Sequence, residues 1–406
     1  MIKSNVFLLI ITIILVATIP YTSVFADDIL EDEHFIPAFS TVSPAETAGE
    51  PKINAGAAIV IDMDSGRVLY EKDGYSPRKM ASTTKIMTAI VALERGNLED
   101  VVTISERAAG IWGSQIGLKK GQKIKLKDLL YGLMLNSGND AAIAIAEHIG
   151  GTVEGFADMM NEKAYELGAI NTHFITPHGL DVEGHYTTPY DLAVITAYAL
   201  RNPTFSEIVG TVQTTISYRS LHNTNEMLGI YPGADGVKTG YTGQAGRCLV
   251  TSATRNNWRI ISVVLNCPSR NARAQSSKAI LDYAFNNYKP HVLLNKGDKI
   301  ASVPVLRGIE PYVSVEAIEQ VRVPLRTDEI DKVERYIDLP ETLEAPVYKG
   351  TEIGYVNYLI NDEIIGQSVL LTHSDVRRKV FLDYLGEIFT SWARLMREGI
   401  FGMLLF

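Results

Sequence analysis

The chain has 406 residues, 46% apolar and 21% charged, which is too long for one ordinary domain of roughly 150 residues and predicts two with ample core. Its 32 glycines and 16 prolines exclude wholesale disorder, and a net charge of −9 argues against a surface built to grip nucleic-acid phosphates. Two cysteines exclude a disulfide scaffold and a four-Cys zinc site, leaving an enzyme or a binding protein.

Residues 1–26 carry Lys3, an apolar run from Val6 to Ile19, then Pro20 and Ser23-Val24-Phe25-Ala26 before Asp27. This fits a secretory signal peptide; the alternative is an uncleaved anchor, for which the run is short of the ~20 residues that cross a bilayer. Residues 27–51 are acidic, contain Pro37, Pro44 and Pro51, and read as a linker. Between 52 and 290 strands and helices mix. Ala57–Met63 and Val68–Glu71 flank Asp64-Ser65-Gly66 as a hairpin. Helical periodicity follows at Thr84–Arg95, Leu126–Leu135, Ala141–Ile149, Thr152–Leu167 and Pro189–Leu200. Cys248–Ala253 and Trp258–Cys267 read as paired strands and Ser276–Phe285 as a closing helix. Helices on an antiparallel sheet, with a mostly helical insert, give an α+β fold. Residues 291–376 become short alternating strands, a small all-β domain: Ile300–Val305, Val321–Leu325, Ala345–Val347, Ile353–Leu359 and Ile364–Leu371.

Residues 377–406 close the chain as an amphipathic helix. Phe381, Leu385, Ile388, Phe389, Trp392, Leu395 and Met396 form a stripe, Asp383, Glu387, Arg394 and Arg397 lie opposite, and Arg377, Arg378 and Lys379 precede it. It is too interrupted to span a bilayer but suits the plane of a membrane surface; the alternative is docking on the protein's own body.

Three short motifs carry chemistry. In Ser82-Thr83-Thr84-Lys85, a serine at a helix start sits beside open backbone N–H groups, and a lysine three residues on shares its face. A serine hydroxyl needs a base, and a lysine serves only if burial and a second cation lower its pKa. Ser-x-x-Lys alone is weak, usually an N-cap with a solvated lysine. Ser137-Gly138-Asn139, between two helical patterns, offers a hydroxyl to relay a proton and a carboxamide to hold a peptide, unless it is a plain cap. Lys238-Thr239-Gly240 offers a cation and a hydroxyl for an anion; Gly240 would let a substrate backbone lie close, and Lys238 would be the second cation beside Lys85. Its plain alternative is an exposed turn.

In this order the motifs resemble the penicillin-interacting serine acyl-transferases. The phrases Leu135–Ala142, Pro177–Asp181, Gly184–Thr188 and Pro232–Gly240 are similar to those of low-molecular-weight penicillin-binding proteins that act as D-alanyl-D-alanine carboxypeptidases. The resemblance covers residues 52 to 406 and implies a β-lactamase/transpeptidase-like catalytic domain with the β-rich domain behind it. It implies attack by Ser82 on the penultimate D-Ala of a peptidoglycan stem peptide, Lys85 as base, and Ser137 and Asn139 positioning the peptide and helping the D-Ala leave. Lys238 and Thr239 would bind the terminal carboxylate, and the N–H groups of Ser82 and Tyr241 would form an oxyanion hole. Arg273 would touch the carboxylate or be a solvated helix-start charge. β-Lactams would acylate the same serine. No cofactor is implied, and the setting is the outer face of the cytoplasmic membrane or the wall.

His173, His178 and His185 suggest a metal only superficially: no helical i, i+4 pair exists, and the family phrases account for His178 and His185 as scaffold. With a turn centred near Asn256, Cys248 faces Leu265 and Cys267 lies diagonal, ~7–8 Å away, so two buried thiols are expected. A β-lactamase is the nearest rival, yet no glutamate between the second and third motifs opens a Glu-x-x-Leu-Asn phrase. An inactive wall-binding protein on the same fold would need no intact nucleophile.

Overall fold

The segment Ala57–Asp62 (β1) is apolar at nearly every position, and the fold buries all six residues because both of its faces are covered. The structure is a computed structural model that describes residues 49–403, with side chains as far as 397. The predicted signal peptide and most of the predicted linker lie outside the described residues.

After β1 come β2 (Val68–Lys72), α1 (Lys85–Arg95), β3 (Val101–Thr103), α2 (Glu106–Gly110), β4 (Lys123–Lys125), α3 (Leu126–Met134), α4 (Asn139–Gly150) and α5 (Val153–Glu166). Next are α6 (Pro189–Ala199), α7 (Pro203–Gly210), β5 (Gln213–Ile216), β6 (Arg219–His222), β7 (Ala234–Thr242), β8 (Gly246–Arg255), β9 (Trp258–Cys267) and α8 (Arg270–Asn287). The antiparallel sheet runs β2-β1-β9-β8-β7, which leaves β7 at one edge. Alternate residues point to opposite faces of a strand. Ile59, Ile61, Val250, Ile261 and Val263 therefore enter the larger core with α1 and α3–α7, while Ala58, Val60, Leu249, Ile260 and Val264 pack with Ile280, Leu281 and Ala284 of α8. Helix α1 runs through the larger core, buried from Lys85 to Ala92.

The second body begins with β10 (Lys289–Leu294) and continues through β11 (Lys299–Leu306), β12 (Tyr312–Ala317), β13 (Val321–Leu325), β14 (Glu334–Asp338), β15 (Leu343–Glu344), β16 (Glu352–Ile360) and β17 (Glu363–Thr372). A six-stranded sheet, β14-β16-β17-β12-β11-β15, and the pair β10-β13 enclose a core of Val303, Val313, Val315, Val323, Val356 and Leu370. The two bodies are joined at Arg67, which bonds Glu329 at 2.8 Å and the carbonyl of Pro324, with its guanidinium over the Tyr288 ring. Helix α9 (Phe381–Met403) follows, with Phe381, Leu382, Ile388, Phe389, Trp392 and Leu395 exposed. Among the described residues no helix is long and apolar enough to cross a membrane.

Three expectations are corrected. The closing helix starts at Arg270 rather than Ser276, because Ser269 caps it by accepting from the Ala272 N–H at 3.1 Å while polar side chains hide the periodicity of its first turns. The strand expected at Ala345–Val347 is instead β15, with only a bridge from Val347 to Val376, since Pro346 has no N–H to give a ladder. Finally, Arg247 pairs with Cys267 and Leu249 with Val264, so a bulge at Asn266 (φ +56) alters the simple hairpin register around Cys248. Both cysteines are buried thiols, and burial together with the Cys248 sulfur pushes the Cys267 thiol up to about 12.

Candidate active site

Ser82 lies in a 3-10 turn, Ala81–Thr84, that delivers the chain into α1. The turn is tied to itself: Thr83 Oγ1 donates to the Met80 carbonyl at 2.6 Å and Thr84 Oγ1 to that of Ala81 at 2.8 Å. Ala81 has φ +49, a conformation uncommon for a residue with a Cβ, held here by its own full burial and that of Met80 before it. Ser82 is half-buried, whereas Lys85, one turn on, has no exposed surface. Its Nζ donates to Ser82 Oγ at 2.8 Å, Asn139 Oδ1 at 2.8 Å and the His178 carbonyl at 2.9 Å. The latter two oxygens only accept. Toward Ser82 the nitrogen is a donor as ammonium and an acceptor as amine, so one geometry serves both protonation states.

Ser137 and Asn139 stand at the break between α3 and α4. Ser137 has φ +59, and the Gly138 N–H turns back onto the Gly132 carbonyl at 3.0 Å. Gly138 occupies the cap of α4, so Ser137 is not the plain helix cap that the sequence allowed. Asn139, buried, accepts from Lys85 and donates Nδ2 to the Trp112 carbonyl at 2.9 Å. Asp140 pins the same loop, taking the N–H groups of Ile116 and Leu118, each at 3.0 Å.

Edge strand β7 carries Lys238, Thr239 and Gly240. A Cβ at Gly240 would lie 2.9 Å from the Ser82 nitrogen and 3.1 Å from that of Thr83. The glycine is thus required by the Ser82 turn packing against the strand. Lys238 is buried, with Nζ on the Thr239 carbonyl at 2.9 Å. Tyr241 holds the Arg247 guanidinium over its ring at 4.3 Å. Arg273 is neither solvated nor at a loose helix start: it is fully buried and grips Glu226 through Nε at 2.9 Å and Nη2 at 2.8 Å.

A loop from 173 to 188 forms the remaining wall; the sequence offered its histidines and the phrases Pro177–Asp181 and Gly184–Thr188 but no role for Gly179 or Asp181. Gly179 (φ +86) is forced, because a Cβ there would meet the Ala81 carbonyl oxygen at 1.9 Å. Asp181 Oδ1 accepts from Thr242 Oγ1 at 2.8 Å, tying the loop to the end of β7. His185 Nδ1 accepts from the Ile175 N–H at 2.9 Å, so its Nε2–H faces Thr84 Oγ1, also at 2.9 Å, and braces the Ser82 turn. Among the described residues no group of His, Cys, Asp and Glu is arranged to hold a metal ion.

Residues 44–269 match the family model described as D-alanyl-D-alanine carboxypeptidase, and residues 288–378 match the C-terminal domain of penicillin-binding protein 5. The first match alone covers more than half of the sequence. The chain belongs to the D-alanyl-D-alanine carboxypeptidase family. It is 34% identical over 371 residues to D-alanyl-D-alanine carboxypeptidase DacF of Bacillus subtilis, an alignment covering 89% of this chain and 95% of that one. It is also 34% identical to the DacA enzyme of Haemophilus influenzae, covering 86% and 91%. Among solved structures, penicillin-binding protein 5 of H. influenzae superposes with a TM-score of 0.74 at 33% identity, covering 81% of this chain and 99% of that one. The family fold, a transpeptidase-like domain with an all-β domain behind it, is the one described above, and the chain is a hydrolase of the peptidase class.

Burial, reinforced by the Lys85 charge, pushes His178 down to about 3; burial, with the His173 charge, takes His185 to about 4. Both are therefore uncharged at neutral pH. The unfolded chain takes up these protons near pH 6.5 while the folded one refuses them, so stability is full above that pH and is lost as pH falls toward 4. The slope is about 1.4 kcal/mol per pH unit for each histidine. Urea unfolding between pH 7 and 4.5 should show this loss, and His185→Gln should reduce its steepness by one proton's worth; an unaltered slope would contradict a neutral His185.

Proposed function

We propose that Ser82 is the nucleophile and Lys85 its base in removal of the terminal D-alanine from peptidoglycan stem peptides. The observation that carries this reading is the fully buried Lys85 amine at 2.8 Å from Ser82 Oγ, beside a strand that approaches the Ser82 amide to within a missing Cβ. As Oγ attacks the carbonyl of the penultimate D-Ala, its proton passes to the Lys85 amine. The C–N bond to the last residue then breaks, and that nitrogen takes a proton through Ser137. Free D-alanine leaves, and an ester on Ser82 remains for water to hydrolyse. Asn139 links the lysine to the peptide side of the cleft. Lys238 and Thr239 receive the terminal carboxylate, the hydroxyl by hydrogen bond and the ammonium by charge. Arg273 acts on that carboxylate from behind, by holding Glu226 and the segment before β7 rather than by direct contact.

The oxyanion hole follows from the packing at Gly240. The Ser82 nitrogen lies against the strand at Gly240; its N–H and that of Tyr241, the next residue, would be the two donors, and losing one such donor costs roughly 2.7–4 kcal/mol of barrier. A β-lactam presents the same carbonyl and carboxylate and would leave an acyl group on Ser82. Apolar side chains exposed along α9, after the basic residues Arg377, Arg378 and Lys379, support a peripheral hold on an anionic membrane, with the catalytic domain outside the cell.

D-Alanine release from a diacyl-L-Lys-D-Ala-D-Ala peptide and labelling by penicillin should both vanish in Ser82→Ala; release that persists would remove Ser82 from the mechanism. Gly240→Ala should slow acylation by about 100- to 1000-fold through the displaced Ser82 amide. Acylation at the wild-type rate would show that the turn can retreat at no cost. A chain truncated after Arg378 should fail to sediment with anionic liposomes that carry down the intact chain, and equal sedimentation would exclude α9 as the anchor.

A further inference from the structure

Thr224 lies between β6 and β7, outside the three motifs, and its Oγ1 is 2.6 Å from Oγ1 of Thr239. Its place is fixed from several sides. The Thr224 N–H donates to the Leu135 carbonyl at 3.2 Å, two residues before Ser137. The preceding Asn223 donates Nδ2 to the carbonyls of Val209 at 3.1 Å and Thr211 at 3.0 Å. Two residues on, Glu226 is clamped by two nitrogens of Arg273, Nε and Nη2, a nearly buried ion pair whose loss would leave a charge stranded.

Two hydroxyls at this distance share one proton between them, so one donates and the other accepts. If Thr239 donated, it would turn lone pairs toward the cleft and repel a carboxylate. If Thr224 donates, Thr239 keeps its own proton for the ligand, and a hydroxyl that is already accepting is a stronger donor. We infer that Thr224 is a positioning residue that directs the Thr239 proton into the cleft and thereby favours substrates ending in a free carboxylate. The inference rests on the reading of Thr239 as the carboxylate's partner. The ion pair of Glu226 with Arg273 then keeps a donor hydroxyl at a set height behind the strand, while the Thr224 N–H ties the same segment to the approach of Ser137. A charged acceptor gains about twice as much as a neutral one from a hydrogen bond, so the effect appears as discrimination between acid and ester.

The test compares the rates at which benzylpenicillin and its methyl ester acylate Ser82, followed by intact-protein mass, in wild type, Thr224→Val, Thr224→Ala and Thr224→Ser. Thr224→Val and Thr224→Ala should slow the free acid about tenfold and the ester by no more than about twofold. Thr224→Ser, which keeps the donor, should match wild type with both. For D-alanine release the loss should fall on KM, with kcat nearly unchanged. Equal slowing of acid and ester would mean that Thr224 only supports the strand, and unslowed acylation by the acid would mean that it does nothing to Thr239; either overturns the inference. Wild type unreactive toward both compounds would instead sink the Ser82 reading on which the inference rests.

Discussion

The site depends on an amine that has lost its water. A lysine nitrogen with no exposed surface must find acceptors in the protein, because an unpaired charge or donor in an apolar interior is strongly disfavoured. Lys85 finds them in three places, two of them remote in sequence: the turn just before it, the start of α4, and the loop beyond α5. Each contact recruits a wall of the cleft. Satisfying one buried nitrogen therefore assembles Ser82, the Asn139 carboxamide and the His178 stretch of backbone in one act.

Holding these parts together needs backbone that local preference resists. Ala81 and Ser137, the residues that aim the first two motifs, both have positive φ, and neither is glycine. Strain of this kind costs about 1–3 kcal/mol per residue and persists only where the surroundings over-determine it. At Ala81 the constraint is steric: Gly179 on one side and Gly240 on the other come so close that neither tolerates a Cβ. At Ser137 it is polar, with Gly138 turned onto Gly132 and Asp140 taking two loop N–H groups. Gly179 and Gly240 are thus places where segments of the chain meet rather than hinges.

Much of this is legible in the sequence, and what is not has a physical reason. Buried α1 and the apolar strands β1, β8 and β9 announce themselves because both faces are covered, and a run such as Ala57–Ile61 has few other uses. The three motifs are readable because spacing within each one is local. The contacts of Thr224, Asp181 and Gly179 are not, since their partners lie on other segments and only the tertiary fold supplies them. Arg273 misleads for a related reason: at a helix start a solvated charge is the ordinary outcome, and nothing nearby in sequence reveals Glu226 on another loop. The first turns of α8 escape because a polar helix start has no apolar period to read.

The two faces of β7 explain why one short strand carries so much. As the edge strand it has one side paired to β8 and the other open, so its N–H groups remain available to a ligand lying along it. An open edge is ordinarily a liability for aggregation. Here the Ser82 turn packs against it at Gly240, while the hydroxyls of Thr239 and Thr242 are bonded to Thr224 and Asp181. Under the proposed function, protection of the edge and selection of the substrate become one feature: a short peptide end lying beside β7 would meet these contacts and bring its carboxylate to the hydroxyl of Thr239.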